Sequence, residues 1–151
     1  MAVKTLAGTT LALSAGVPAT FNSAGYAALT YTTLGEVIKV GPLGRKYTVT
    51  LHKPIGSSAT QKLKGSFDEG GFSADIGVDS SDAGQTLAKA GLIVNSLYSV
   101  KLWHQGSGLI QYFQGLITGF TTNMGGVDDI DSASIDIAIT TSSTGVGIVE
   151  V

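Results

Sequence analysis

The sequence predicts a mainly β protein, an antiparallel β-sandwich or barrel with one short flanking α-helix. Three observations carry this. Apolar and polar residues alternate at period two in several segments, as in "GFSADIGV" (71–78) and "SASIDIAIT" (132–140). Glycine accounts for 21 of 151 residues, about twice the usual share of ~7%. Only one stretch, 80–91, combines a helix-capping residue with helical spacing and a glycine stop. The chain of 151 residues has the length of one domain, 1–151, with no linker or charge block dividing it.

The elements follow in order. Residues 1–20 are expected to form an N-terminal arm, within which "GTTLALS" (8–14) is a weak strand candidate. Lys4 and the apolar residues after it imitate a secretory leader. Gly8, Thr9 and Thr10 interrupt that run, so a cytoplasmic origin is expected. "SAGYAAL" (23–29) can form a short helical turn, and "EVIKV" (36–40) a strand. "RKYTVTL" (45–51) alternates, with Tyr47, Val49 and Leu51 on one face and Thr48 and Thr50 on the other. Residues 52–66, "HKPIGSSATQKLKGS", are too long for a hairpin turn and are read as a long loop. In 71–78, Phe72, Ala74, Ile76 and Val78 face one way, and Ser73 and Asp75 the other.

The helix "SSDAGQTLAKAG" (80–91) takes Ser81 or Asp82 as N-cap and Gly91 as its stop, with Ala83, Leu87 and Ala90 on one face. "LYSVKLWHQ" (97–105) and "LIQYFQGLITGFTT" (109–122) make a hairpin through "GSG" (106–108). Gly115 and Gly119 inside the second strand signal a bulge or a close backbone approach. "NMGGVDD" (123–129) is a loop, and 132–140 is a strand with Ile135, Ile137 and Ile139 on one face. The C-terminal tail, 142–151, is polar and then apolar, and can add a strand elsewhere.

Catalytic constellations do not assemble from these residues. Cysteine is absent, and His52 and His104 are the only histidines, too few for an ordinary zinc site. A phosphate loop starting at Gly56 requires glycine where Gln61 stands, and a dinucleotide fingerprint starting at Gly106 and Gly108 requires glycine where Gln111 stands. No GxSxG surrounds a serine. Asp128, Asp129 and Asp131 lack the spacing of a calcium loop, and are read as solvated loop carboxylates. The chain is accordingly read as a non-enzyme with no cofactor and no metal. A rival reading is a carbohydrate-binding or adhesin module with Trp103, Tyr98, Tyr112 and Phe113 as an aromatic platform.

Charge is more informative. Charged residues make up 13% of the chain, against about 25% for an ordinary soluble domain, and mean hydropathy is +0.30. Such a surface calls for burial against other copies. Lys39, Arg45, Lys46, Lys53, Lys62 and Lys64 fall in a stretch without an acid between Glu36 and Asp68. Acids cluster elsewhere, at 68–82 and 128–136. Complementary regions of this kind favour head-to-tail contacts between identical subunits.

Three segments, "AGYAALTYTTLGEV" (24–37), 52–90 from "HKPIGSSATQKLKGS" through "LAKA", and "TTNMGGVDDIDSASIDIAI" (121–139), together resemble the major tail tube proteins of long-tailed, non-contractile bacteriophages. The resemblance implies a homo-oligomer of rings, six-fold as a rule, stacked into a hollow tube. That tube would hold a tape-measure protein, join other tail proteins, and pass DNA to the host without binding it specifically. The implied location is the virion tail, assembled in the host cytoplasm, with no membrane partner. Related tubes occur in contractile tails and secretion systems. On this reading 52–66 is an inter-subunit loop, with Lys46, Lys53, Pro54, Lys62 and Lys64 as its contact residues. A bore rich in lysine would retain phosphates, so a neutral to acidic lumen is expected, with Asp75, Asp79 and Asp136 as candidates.

Overall fold

The computed structural model describes residues 3–151. In chain order the elements are β1 (Thr10–Ser14), α1 (Ser23–Ala27), β2 (Thr32–Leu34), β3 (Val37–Val40), β4 (Lys46–His52) and β5 (Gln61–Asp68). They continue with β6 (Gly71–Gly77), α2 (Ala83–Leu92), β7 (Tyr98–His104), β8 (Leu109–Asn123), β9 (Ser132–Thr140) and β10 (Val149–Glu150). The main sheet runs β2-β1-β7-β8-β9-β6-β3, all antiparallel, while β4 and β5 pair only with each other. The architecture is therefore mainly antiparallel β.

Two corners fold this path over a single core. The first is β8, whose residues 109–115 pair with β7 and whose residues 114–123 pair with β9. Its register shifts between Ile117 and Gly119, and a side chain at Gly115 would strike the Ala138 carbonyl. Both glycines thus serve the bend by which β8 turns the corner of the sheet. The second corner is the Gly35–Glu36 link. It joins β2 and β3, which lie at opposite ends of the sheet path. Two linking residues span only about 10 Å, so the ends must meet. Glu36 takes φ +59° there.

Helix α2 latches the second corner. The Asp82 carboxylate accepts from Gln85 N at 2.9 Å as N-cap and from Gly35 N at 3.2 Å. Gln85, 2% exposed, accepts from Asp79 N at 3.0 Å and donates to the Gly77 carbonyl at 2.8 Å and to the Gly35 carbonyl at 3.4 Å. The buried face of α2 is Gly84, Gln85, Ala88 and Gly91, not the expected Ala83, Leu87 and Ala90; Ala83 and Ala90 are exposed and Leu87 is half-buried. Small residues win because the helix lies so close to the sheet. A Cβ at Gly84 would meet Thr33 and Leu34 backbone, and one at Gly91 would meet Ile117 and Tyr98. Gly91 is therefore inside the helix as a packing residue, and Ile93 is the C-cap.

The core is the inward face of the predicted strands: Leu11 and Leu13, Val100 and Leu102, Phe113, Phe72 and Ile76, and the isoleucines of β9. Phe72 and Phe113 meet across it, ring centroids 5.4 Å apart. Thr10–Ser14 is thus not an arm. It is an interior strand between β2 and β7. The C-terminal tail adds its strand to its own chain, Val149 and Glu150 pairing with Tyr112 and Gln111 of β8.

Helix α1 lays Tyr26 over Tyr112, rings stacked at 5.5 Å, with Tyr31 beside them at 6.1 Å. The Tyr26 and Tyr31 hydroxyls are buried without a hydrogen-bond partner among the described residues. Burial pushes the Tyr26 phenol up from 10.0 to about 12 and the Tyr31 phenol further in the same direction. The folded state thus holds protons that the unfolded chain releases above pH 10. Stability is expected to be intact below that pH and to fall as pH rises towards 12. Urea midpoints across this range, with tyrosinate absorbance, check it. Tyr26→Phe should flatten the decline.

Candidate assembly surface

Residues 46–68 form a hairpin, and this corrects the sequence reading of 52–66 as a loop. Gln61–Asp68 is a strand paired with Lys46–His52, leaving only 53–60 as the connection. Every residue of both strands is exposed, so alternation in 45–51 does not mark a half-buried strand within this subunit. The pairs Tyr47↔Phe67, Val49↔Lys64 and Leu51↔Lys62 place these six side chains on one face. An extra residue in β5 near Gly65 keeps Phe67 and Lys64 in phase. The Lys64 ammonium lies 4.5 Å from the Tyr47 ring centroid, and Arg45 sits 3.9 Å above Phe67. Ile55 is fully exposed at the tip. The face is a mixed apolar and basic strip with nothing covering it.

The base of the hairpin is held firmly. Glu69 is buried, its side chain 1% exposed, and Arg45 pairs with it through Nη2 at 2.6 Å and Nε at 2.7 Å. These residues flank the two strands, so one ion pair ties the two legs of the hairpin together at its base. Arg45→Ala leaves the Glu69 carboxylate buried and unpaired, and is expected to lower stability. Urea unfolding checks it, and Arg45→Lys should recover only part.

The five residues expected to make contacts, Lys46, Lys53, Pro54, Lys62 and Lys64, all lie on this hairpin or its tip. Lys62 and Lys64 share the apolar face, whereas Lys46 pairs with Asp68 on the other. The apolar partners Tyr47, Val49, Leu51 and Phe67 complete the surface. The period-two pattern in 45–51 already signalled three of them.

The expected lumen acids separate. Asp75 and Asp136 share the outer face of β6 and β9, through the pairs Asp75↔Ser134 and Ser73↔Asp136. The Ser134 hydroxyl donates to Asp75 at 2.8 Å. Lys39 of β3 is the register partner of Asp75. Around them stand Ser73, Ser132, Thr121 and Asn123, making a small-residue, polar surface. Asp79 is elsewhere, in the turn before α2. There its carboxylate accepts from the Ser81 hydroxyl and backbone, which lower its pKa.

The aromatic platform does not form. Tyr98, Tyr112 and Phe113 are buried, leaving Trp103 as the exposed member. His104 meets Gln111 Oε1 at 2.9 Å on the neighbouring strand. Asp129 closes its own turn by accepting from Gly126 N at 2.6 Å. Among the described residues no group of three or more His, Cys, Asp or Glu could hold a metal ion, and no helix is long and apolar enough to cross a membrane.

No protein-family model matches the chain, and no curated protein matches it. Solved structures do. A chain of the anti-feeding prophage baseplate, solved by cryo-EM with six-fold symmetrisation, superposes with a TM-score of 0.70 at 9% identity, covering 100% of this chain and 97% of that one. The SPP1 tail tube matches with a TM-score of 0.61 at 11% identity, over 94% of this chain and 75% of that one. The sheath/tube terminator of an extracellular contractile injection system matches with a TM-score of 0.58 at 11% identity, over 93% and 92%. The fold of this chain is therefore that of tail tube and baseplate proteins.

Proposed function

We propose that this chain is a structural subunit that assembles with its own copies into stacked rings, six-fold as a rule, forming the hollow tube of a phage tail. One observation carries the reading. The β4–β5 hairpin is tied at its base by the ion pair of Arg45 with the buried Glu69 yet leaves both of its faces in solvent. A two-stranded hairpin is at best marginally stable alone in water, and five exposed apolar residues on its strands, Tyr47, Val49, Leu51, Leu63 and Phe67, need a partner. Its likeness in fold to tail tube and baseplate chains supplies the context.

The tube would pass DNA and enclose a tape-measure protein. The outer face of β6 and β9, with Asp75 and Asp136 among serines and threonine, suits the bore because it offers phosphates few cations to hold. A non-contractile virion tail, assembled in the host cytoplasm, is the preferred setting on the sequence resemblance. The direct test is sizing followed by negative-stain electron microscopy of the purified chain. Rings and long tubes are expected. A stable monomer at high concentration, or tubes whose bore is lined by the hairpin lysines, would overturn the reading.

A further inference from the structure

The hairpin leaves the body at one end of β6, three residues after Asp68, while the opposite end of β6 carries a second unpartnered surface. That end pairs Gly77 with Ser132, directly after the β8–β9 connection, residues 124–131. The connection exposes Met124 at 88%, Val127 at 97% and Ile130 at 77%. It also carries Asp128, Asp129 and Asp131, and no lysine or arginine follows Lys101 in the sequence. Among the described residues the sole ion pair is Arg45–Glu69, so these three carboxylates have no cation within the subunit. The connection is ordered by the Asp129 turn and by Val78 N donating to the Asp131 carbonyl at 2.9 Å.

The two surfaces match. One is apolar and basic, with Lys53, Lys62 and Lys64 and no acid from 53 to 64; the other is apolar and acidic. The seven residues of β6 separate them by about 20 Å at ~3.3 Å per residue. The hairpin's root and the connection lie at opposite ends of β6, and among the described residues no ion pair joins the two surfaces, so one copy does not satisfy itself. We propose that the exposed β4–β5 face of one copy docks on the 124–131 connection of the next copy along the tube, Lys62 and Lys64 meeting Asp128 and Asp131. The contact is heterologous, and a heterologous contact that does not close builds a filament; placed along the tube, it is the stacking contact that gives the tube its polarity. This rests on the tube reading and adds to it the acceptor and the direction.

The test uses two full-length variants, K62E/K64E and D128K/D131K, which leave the turn-forming Asp129 in place. Each is expected to keep the wild-type melting temperature and to lose long tubes in sedimentation and electron microscopy at low salt. Mixing the two should restore tubes, because each reversed hairpin then meets a reversed connection in alternation; the four-fold substituted chain should also assemble alone. If wild-type tubes form and either variant assembles as the wild type does, or if neither mixing nor combination restores tubes, the pairing is wrong while the tube reading stands. If the wild type forms no tubes, both fall.

Discussion

Deleting residues 54–63 is expected to yield a folded subunit that forms no tubes. The deletion joins Lys53 to Lys64 and removes Ile55 and Leu63, both exposed, together with Lys62. The pair Val49↔Lys64 remains, so residues 50–53 can close a shorter hairpin of a common loop length. No deleted residue belongs to the core. The subunit should therefore still unfold cooperatively in urea, while polymer disappears from sedimentation and from micrographs. Long tubes from the shortened chain would remove the hairpin from assembly. A large loss of stability would show that it supports its own subunit.

Gln85→Leu is expected to have the largest effect on the subunit itself. The leucine conserves volume but strands the Asp79 amide and the Gly77 carbonyl, both now satisfied by Gln85. Both groups are part-buried; a buried group left without a partner costs about 1–3 kcal/mol, so a loss of about 1–3 kcal/mol in all is expected in urea unfolding. The site is the meeting point of β6, α2 and the Gly35–Glu36 corner. Gln85→Glu is the informative companion, since it keeps an acceptor for Asp79 N and loses the donor to Gly77. A change below 1 kcal/mol on the leucine variant would mean that water replaces the side chain and that the corner is held by Asp82 alone.

Much of the architecture was legible in the residues because burial of one face leaves a local record. The alternation in 71–78 and 132–140 names the core residues Phe72, Ala74, Ile76, Ile135, Ile137 and Ile139 directly. Asp82 as N-cap, the "GSG" turn and the bend at Gly115 and Gly119 were also readable, since caps, turns and bulges depend on a few neighbouring residues. The charge pattern pointed to the same arm that the structure leaves uncovered.

What the chain concealed depends on distant partners. Gln61–Asp68 carries no clean alternation, and only the register with β4 makes it a strand. The face of α2 was misplaced because close approach to β2 and β8 selects Gly84, Ala88 and Gly91 over the more apolar Leu87. The separation of Asp79 from Asp75 and Asp136 likewise follows from where β6 ends and α2 begins. Sequence alone determined the core strands of 71–78 and 132–140, the cap and the basic stretch, because these are written in neighbouring side chains. Tertiary structure alone decided which surfaces remain bare and at which ends they lie, because that depends on which segments of the chain fold against one another.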